Sequence, residues 1–338
     1  MTHSAFSGPL FIVGMPRSGS KLLRELLNQH PQIGLPPAES HFIPYFIRRF
    51  GNPPPFQQAK EWHHFFQDFE RTAFYWHTKR EGRTLTMDEL ARSADLSSWP
   101  SILQTILTWY APPGKAAGFV WGDKTPGYVN HLALLKGLFP AARFLHVIRD
   151  PRDVALSAHK TWGKSLYRAA ESWRVTLLVA RRQAALMGGA YHELFYEELL
   201  AEPERVLRPV CDFLERDFVP AMTQLARPVE MLGDARGRLD IVADNQGKYR
   251  QELTAAQVRR IEEIVYPLLA SDTPYQVCSA TAFRPLSPLA RRWLAWLDGW
   301  AAVRFHVGEK GLRPGLRYFA ALHKRSSWRS GAALDRQD

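Results

Sequence analysis

A chain of 338 residues with 46% hydrophobic residues can bury a substantial core, which excludes an intrinsically disordered protein. Its formal net charge of +11 favours anionic partners, although charge alone does not choose among nucleotides, sulfated groups, nucleic acid and acidic membranes. Two cysteines, Cys211 and Cys278, exclude a disulfide framework and lack the spacing of a zinc site, so we expect reduced thiols in a reducing compartment.

The first predicted elements are a strand and a helix. Residues 9–14 form a continuous apolar run that ends in glycine, and residues 20–29 carry apolar pairs at helical spacing. The apolar run follows only eight residues without lysine or arginine, and it is too short for a signal peptide or a membrane span. We therefore expect a cytoplasmic protein.

The strand–helix unit recurs farther along the chain. We predict strands at 118–121 and 143–148, a helix around 128–138 and another helix from about residue 151. Strands that alternate with helices predict a central parallel sheet with helices on both faces, which is a three-layer α/β/α fold. Residues 44–117 are rich in aromatic side chains and predict a mostly helical insertion.

The C-terminal part continues this pattern and ends in a basic tail. We predict helices at 165–187, 203–214 and 254–269, a strand at 194–196, and a helical tail that includes 287–306. Residues 281–338 hold 11 Lys/Arg against 4 Asp/Glu. We therefore divide the chain into a main domain, 1–282, and a basic aromatic extension, 283–338.

The segment between the first strand and the first helix has the features of an anion site. Residues 14–21 are Gly-Met-Pro-Arg-Ser-Gly-Ser-Lys, and backbone N–H groups and the helix dipole attract anions at such a turn. In the nucleotide-triphosphate P-loop, G-x-x-x-x-G-K-[ST], the lysine precedes the magnesium-binding hydroxyl. Here Ser20 and Lys21 stand in the reverse order, which disfavours a metal-dependent kinase, and Arg17 supplies a cation inside the loop. A glycine turn with a surface arginine is the alternative interpretation.

The same segment resembles the 5′-phosphosulfate loop of the sulfotransferases that use 3′-phosphoadenosine-5′-phosphosulfate (PAPS). The resemblance rests on residues 11–20, on Leu22-Leu23 and on Asn-Gln-His-Pro at 28–31, and it is closest to the bacterial branch and to tyrosylprotein sulfotransferases. It implies a P-loop-like fold, PAPS as co-substrate without a metal, and donor contacts from the loop. The residues implied are Arg17, Ser18, Gly19, Ser20 and Lys21. Family members commonly carry two threonines after the loop glycine, so the pair Ser20-Lys21 loses one hydroxyl contact.

A second candidate anion site follows the predicted strand at 143–148. Arg149-Asp-Pro-Arg-Asp-Val-Ala-Leu-Ser157 has a proline at the first position of the next helix, where proline is favoured. The resemblance implies that Arg149 and Ser157 bind the 3′-phosphate of the donor. From the spacing alone, a surface turn with local ion pairs explains the segment as well. Both candidate sites follow parallel strands, whose carboxyl ends bind ligands in open α/β sheets.

Candidates for the chemistry follow from what sulfuryl transfer requires, namely in-line geometry, charge stabilisation and a base for the incoming hydroxyl. Glu39 resembles the glutamate base of related enzymes, with a slightly different spacing, and His41 is its rival. Lys124 resembles the lysine that stabilises the transferring group and its leaving oxygen; the alternative is an exposed loop lysine paired with Asp123. Arg17 is the third catalytic candidate, because its cation can neutralise the donor.

Two later segments complete the candidates. Tyr196 resembles the adenine-contacting tyrosine of the family, and Lys248, within Gly-Lys-Tyr-Arg, belongs to a loop similar to the one that covers the nucleotide. A core tyrosine and a solvated basic loop are the alternatives. In the tail, Trp293, Trp296 and Trp300 are spaced by three and four residues and predict an aromatic helical face. Such a face lies on an anionic membrane, or it docks on the core or on the second subunit of a homodimer.

We therefore predict a sulfotransferase that moves a sulfuryl group from PAPS to a hydroxyl or an amine. We expect a small-molecule, lipid or glycan acceptor and not nucleic acid, because the sequence has no RNA-binding signature. The alternatives are a P-loop nucleotide kinase and a non-catalytic protein that binds nucleotides or nucleic acid. The sequence leaves open the identity of the acceptor, the choice between O- and N-sulfation, and the oligomeric state.

Overall fold

The computed structural model describes residues 6–228 and 237–312, which divide into two compact units. The first unit comprises the described residues up to Asp150 together with 175–228 and 237–247, and the second comprises Pro151–Arg174 and 248–312. The division of the chain at residue 282 remains a prediction, and the last part of the predicted extension lies outside the described residues. None of the described helices is both long and apolar enough to cross a membrane.

The first unit is built on a parallel sheet, for which the described residues supply five strands. They are β1 (Leu10–Gly14), β2 (Ile33–Gly34), β3 (Val120–Lys124), β4 (Arg143–Ile148) and β5 (Tyr191–Phe195), in the spatial order β2-β3-β1-β4-β5. At the centre, Ile12 of β1 pairs with Lys124 of β3 on one side and with Leu145 of β4 on the other. The loops that follow β1, β3 and β4 therefore leave the same edge of the sheet.

Helices cover this sheet on both faces. In chain order, the helices of the described residues are α1 (Ser20–Leu27), α2 (Ile43–Phe50), α3 (Ala59–Glu70), α4 (Ala73–Arg80), α5 (Met87–Ser93), α6 (Trp99–Trp109), α7 (Leu132–Leu138), α8 (Pro151–Trp162), α9 (Leu166–Ala184), α10 (Tyr196–Ala201), α11 (Pro203–Phe213), α12 (Tyr249–Glu252), α13 (Ala255–Ser271) and α14 (Pro288–Lys310). Helices α8, α12, α13 and α14 belong to the second unit, and α9 begins there and ends in the first.

Side chains of β1 alternate between two cores. Phe11 and Val13 belong to an aromatic core that includes the helices of the insertion, whereas Leu10 and Ile12 belong to an aliphatic core with α1 and α11. A strand that is buried on both faces needs apolar residues at every position, which explains the continuous apolar run. The alternation confirms the predicted α/β fold with a central parallel sheet between helical layers.

Three predicted boundaries differ from the structure. The strand predicted at 194–196 is wrong in its bounds, because β5 starts at Tyr191 and Tyr196 already begins α10. The polar Glu193 of β5 is accommodated by a two-point ion pair with Arg181 of α9, at 2.8 and 2.9 Å. The strand predicted at 118–121 runs from Val120 to Lys124, and the helix predicted around 128–138 begins as a 3₁₀ segment, Pro126–His131.

The second unit contains a buried ion pair. Arg152 of α8 lies 2.6 Å from Glu262 of α13, and both side chains are buried. Glu262 also accepts hydrogen bonds from the backbone N–H groups of residues 278–280. These donors replace the water that the carboxylate loses on burial, which is the condition under which a buried ion pair is tolerated.

Candidate functional site

The loop between β1 and α1 has a backbone suited to anions. Arg17 and Gly19 both adopt the left-handed conformation, with φ of 76° and 91°. The N–H of Ser18 donates to the carbonyl of Met15 at 3.2 Å and closes the turn. Ser18 is buried, and its Oγ has no hydrogen-bond partner among the described residues. Buried hydroxyls are nearly always hydrogen-bonded, so this atom fits a ligand with acceptor oxygens, such as a phosphate or a sulfate.

Gly19 lies directly against the ring of Tyr196. A Cβ atom at position 19 would stand 2.1 Å from Cδ2 of that ring, so both the contact and the left-handed backbone require glycine. The hydroxyl of Tyr196 in turn accepts a hydrogen bond from Nδ2 of Asn245 at 2.9 Å. The structure therefore brings Tyr196 to the loop, while its contact with adenine remains a prediction.

The Gly19→Ala substitution should lower the free energy of unfolding by about 2–4 kcal/mol, through backbone strain and through the clash with Tyr196. Gly114 offers a matched control, because its φ is 78° and a Cβ there would meet no atom of residues 6–228 and 237–312 within 4 Å. Gly114→Ala should therefore cost only the strain, on the order of 1 kcal/mol. Urea denaturation followed by circular dichroism measures both values. Equal losses for the two variants would contradict the contact with Tyr196.

Lys124, the last residue of β3, meets two other candidates for the chemistry. Its side chain is fully buried, and its Nζ forms an ion pair with Oε1 of Glu39. The other carboxylate oxygen of Glu39 lies 2.7 Å from Nε2 of His41. The alternative of an exposed lysine paired with Asp123 is therefore wrong. The structure instead joins a lysine, a carboxylate and a histidine at the edge of the sheet.

The environment shifts the pKa values of the pair in ways that follow from burial and charge. Burial lowers the pKa of Lys124 to about 8; Glu39 opposes this shift, and the charges of Arg24 and Lys21 add to it. Burial alone would raise the pKa of Glu39, but the hydrogen bond from His41 and the charge of Lys124 outweigh it and hold that pKa far below its usual value. At neutral pH the pair is therefore a carboxylate and an ammonium.

Asp123 anchors the segment that carries Glu39. The hydroxyl of Ser40 donates to Oδ2 of Asp123 at 2.8 Å and lies 2.6 Å from the hydroxyl of Tyr128. Because Ser40 follows Glu39 and Asp123 precedes Lys124, this buried contact fixes the two charged side chains against each other. Ser40 and Tyr128 are not among the candidates predicted from the sequence, because neither carries a local signal of such a role.

Arg149, at the end of β4, connects the two candidate anion sites. Its guanidinium is buried and donates to the carbonyl of Arg17 at 3.0 Å and to the carbonyl of Asn245 at 2.8 Å. It also lies over the ring of Tyr196, with 4.6 Å between Cζ and the ring centroid. The structure therefore brings Arg149, Arg17 and Tyr196 together, while their contacts with the donor remain predictions. Asn245 is a site residue that the sequence analysis missed.

The remaining candidates lie on helices α1 and α8 or directly before α12. Ser20 is buried and Lys21 is partly buried in the first turn of α1, directly after the loop. Ser157 lies on α8 in the second unit, and Lys248 immediately precedes α12 of the same unit. The N–H of Tyr249 donates to Oδ1 of Asp153 at 3.0 Å, which joins the start of α12 to α8. The donor contacts of these residues remain predictions.

Comparison with known proteins gives several relatives. A protein-tyrosine sulfotransferase of Drosophila melanogaster is 26% identical over 214 residues, which cover 61% of this chain and 38% of that protein. Protein-tyrosine sulfotransferase 1 of Danio rerio is 24% identical over 241 residues, with coverage of 68% and 58%. An uncharacterized protein of Aquifex aeolicus is 26% identical over 262 residues, with coverage of 72% and 30%. The chain therefore spans less than two thirds of the length of these relatives.

A solved structure and a family model also match this chain, and both are described as sulfotransferases. The sulfotransferase domain of the olefin synthase from Synechococcus PCC 7002 superposes with a TM-score of 0.52 at 22% identity, covering 81% of this chain and 98% of that domain, which supports a common fold. Residues 9–220, more than half of the chain, match the model described as the sulfotransferase family. The matched residues include the anion loop, the Lys124–Glu39 pair and Arg149. The chain therefore belongs to the sulfotransferase family.

Proposed function

We propose that the protein transfers a sulfuryl group from PAPS to a hydroxyl or an amine of a small-molecule, lipid or glycan acceptor. The observation that carries the proposal is the ion pair of the buried Lys124 with the partly exposed Glu39, at the same sheet edge as the anion loop. A cation and a carboxylate beside an anion site are the groups that the transfer needs. We further propose that residues 1–282 carry this activity and that it takes place in the reducing cytoplasm, in keeping with the free thiols of Cys211 and Cys278.

In this proposal the two anion sites hold the two ends of the donor. Arg17, Ser18, Gly19, Ser20 and Lys21 bind the 5′-phosphosulfate, Arg149 and Ser157 bind the 3′-phosphate, and Tyr196 and Lys248 contact the nucleoside side. The Oγ of Ser18, which lacks a hydrogen-bond partner in the described part of the chain, and the left-handed loop support the first assignment. The buried guanidinium of Arg149 supports the second, because a fork of N–H donors matches a phosphate.

The chemistry assigns one role to each member of the ion pair. Glu39 accepts the proton of the acceptor hydroxyl as its oxygen forms a bond to sulfur, and the bond between sulfur and the phosphate oxygen breaks. Lys124 and Arg17 stabilise the charge on the transferring group and on the leaving oxygen, so the products are the sulfated acceptor and 3′-phosphoadenosine-5′-phosphate (PAP). When the donor draws Lys124 towards its sulfate, one cation withdraws from Glu39, so the pKa of Glu39 rises and the carboxylate becomes a better base.

The value of kcat/KM for PAPS should fall as the pH rises through about 8, because Lys124 acts as an ammonium and its pKa in the free enzyme is about 8. In Glu39→Gln, the residual activity should begin to fall at a lower pH than in the wild type. The carboxylate that raises the pKa of Lys124 is absent, so Lys124 loses its proton earlier. Initial rates of labelled-sulfate transfer across the pH range measure both profiles. A wild-type profile that stays flat well above pH 8 would contradict the role of Lys124.

Loss of the proton of Lys124 would not unfold the protein, so unfolding does not explain the fall of kcat/KM above pH 8. The pKa of Lys124 is lower in the folded chain than its ordinary value of 10.5, so between about 8 and 10.5 the unfolded chain binds more protons. The contribution of Lys124 to the free energy of unfolding therefore increases with pH in that interval. Thermal unfolding at each pH separates this effect from the loss of activity.

Ligand-dependent thermal shift tests the proposal against its alternatives. PAP should raise the unfolding temperature, and it should do so more than ATP with Mg²⁺ and more than an oligonucleotide at equal concentration, because only PAP engages both anion sites. A larger shift with ATP and Mg²⁺ would favour a nucleotide kinase. A larger shift with the oligonucleotide would favour a nucleic-acid binding protein. Transfer of label from PAPS into a cell extract, followed by mass analysis, would then identify the acceptor.

A further inference from the structure

Helix α14 exposes a row of three tryptophans. Trp293, Trp296 and Trp300 are 59%, 54% and 56% exposed, and Leu289 continues the row one turn earlier. The rings of Trp293 and Trp296 stack at 5.1 Å, and Trp296 meets Trp300 edge-on at 6.0 Å. Single exposed apolar residues are common, but a contiguous aromatic row on one helix face is typical of an interaction surface.

The opposite face of α14 is anchored within the second unit. Arg291 forms an ion pair with Glu171 at 2.7 Å. Asp298 accepts hydrogen bonds from the guanidinium of Arg168 and from the backbone N–H of Ser165, both at 2.7 Å. These contacts set the rotation of the helix about its axis, so the tryptophan row is directed away from the body of the unit.

The charges that accompany the row are positive. Arg292 and Arg304 are exposed, Arg304 one turn after Trp300, whereas Asp298 is turned towards Arg168. Among the side chains that the structure describes on α14, the exposed charged ones are all arginines. The surface therefore combines indole rings with cations, and it complements a surface that is apolar just beneath an anionic layer.

We propose that this surface docks on an anionic phospholipid bilayer. We call it the tryptophan face and define it by Leu289, Arg292, Trp293, Trp296, Trp300 and Arg304. Indole rings settle at the boundary between headgroups and acyl chains, and arginines pair with lipid phosphates. Because the other face of α14 is engaged with α9 and with Ser165, the residue before it, the helix lies along the bilayer surface.

Charge also argues against two other occupants. A second copy of the chain that paired through the same face would bring arginines of like charge together. Residues 313–338 contain 6 Lys/Arg and 2 Asp/Glu, so this segment also has the charge of the face and not its complement. An anionic lipid surface satisfies both the aromatic row and the arginines.

Flotation of the full chain with lipid vesicles tests this proposal. The protein should float with vesicles that contain phosphatidylserine and stay behind with vesicles of phosphatidylcholine alone, and added salt should release it. The combined variant Trp293→Ala, Trp296→Ala and Trp300→Ala should lose flotation. Arg292→Ala with Arg304→Ala should weaken the partition coefficient on the order of 30-fold, because each arginine near an anionic surface contributes about 1 kcal/mol.

The matched control is Trp76→Ala, which removes a tryptophan that is 51% exposed on α4, outside the tryptophan face. It should float like the wild type. The proposal is overturned if the wild type ignores phosphatidylserine, or if both combined variants float normally. It is also overturned if sedimentation reveals a dimer that the tryptophan variant dissociates, since the face would then bind a second copy. An unchanged thermal shift with PAP shows that each variant is folded.

Discussion

Replacing Glu39 with glutamine should slow sulfuryl transfer by about 10²–10⁴-fold, because the amide keeps the shape of the side chain but cannot accept the proton of the acceptor. At a pH low enough to keep Lys124 protonated, affinity for PAP should not fall, because the substitution removes a negative charge and leaves the ammonium of Lys124 available to the nucleotide. The rate is measured as single-turnover transfer of ³⁵S from PAPS into the acceptor of a cell extract, and the affinity by calorimetry with PAP.

His41→Asn is the control for this experiment, because His41 contacts Glu39 and is the rival base. If His41 only holds the carboxylate, its loss should slow transfer less than the loss of Glu39. A larger effect of His41→Asn would assign the base to His41. Normal turnover in Glu39→Gln would remove Glu39 from the mechanism.

The sheet could largely be predicted from the sequence, because strands buried on both faces need continuous apolar runs. Those at 9–14 and 143–148 correspond to the central strands β1 and β4. Strand β2, with two residues, is too short to show any periodicity. The predicted strand at 194–196 starts too late because Glu193 is polar and interrupts the apolar pattern. In the structure Glu193 pairs with Arg181 of α9, and tertiary packing brings this partner to the strand.

The site shows the same limit at the level of single side chains. The family resemblance pointed to Lys124, Glu39 and Arg149 as candidates one at a time, but a motif does not specify a distant partner. The alternative interpretation of the sequence paired Lys124 with the adjacent Asp123, whereas the partner in the structure, Glu39, stands 85 residues away. The backbone carbonyl of Asn245 accepts a hydrogen bond from Arg149. Any residue type would supply that carbonyl, so this contact could not be predicted from the sequence.

The Arg149→Met substitution should weaken the binding of PAP by about 100-fold, because two charge-assisted hydrogen bonds to a phosphate contribute about 3 kcal/mol. Methionine keeps part of the packing on Tyr196 and removes the charge. Arg143→Met is the matched control: this arginine begins the same strand, and its ion pair is with Glu215, so PAP affinity should stay within a few-fold of the wild type. Isothermal titration calorimetry measures both variants.

Arg149 also donates to the carbonyls of Arg17 and Asn245, so its removal could weaken binding by disturbing the loop alone. Adenosine 5′-monophosphate separates the two effects, because it lacks the 3′-phosphate and keeps the 5′-phosphate. If Arg149 binds the 3′-phosphate, the variant should bind this nucleotide about as well as the wild type does and should lose the preference for PAP. Equal losses for both nucleotides would mean that Arg149 only shapes the loop, and the 3′-phosphate would then need another cation.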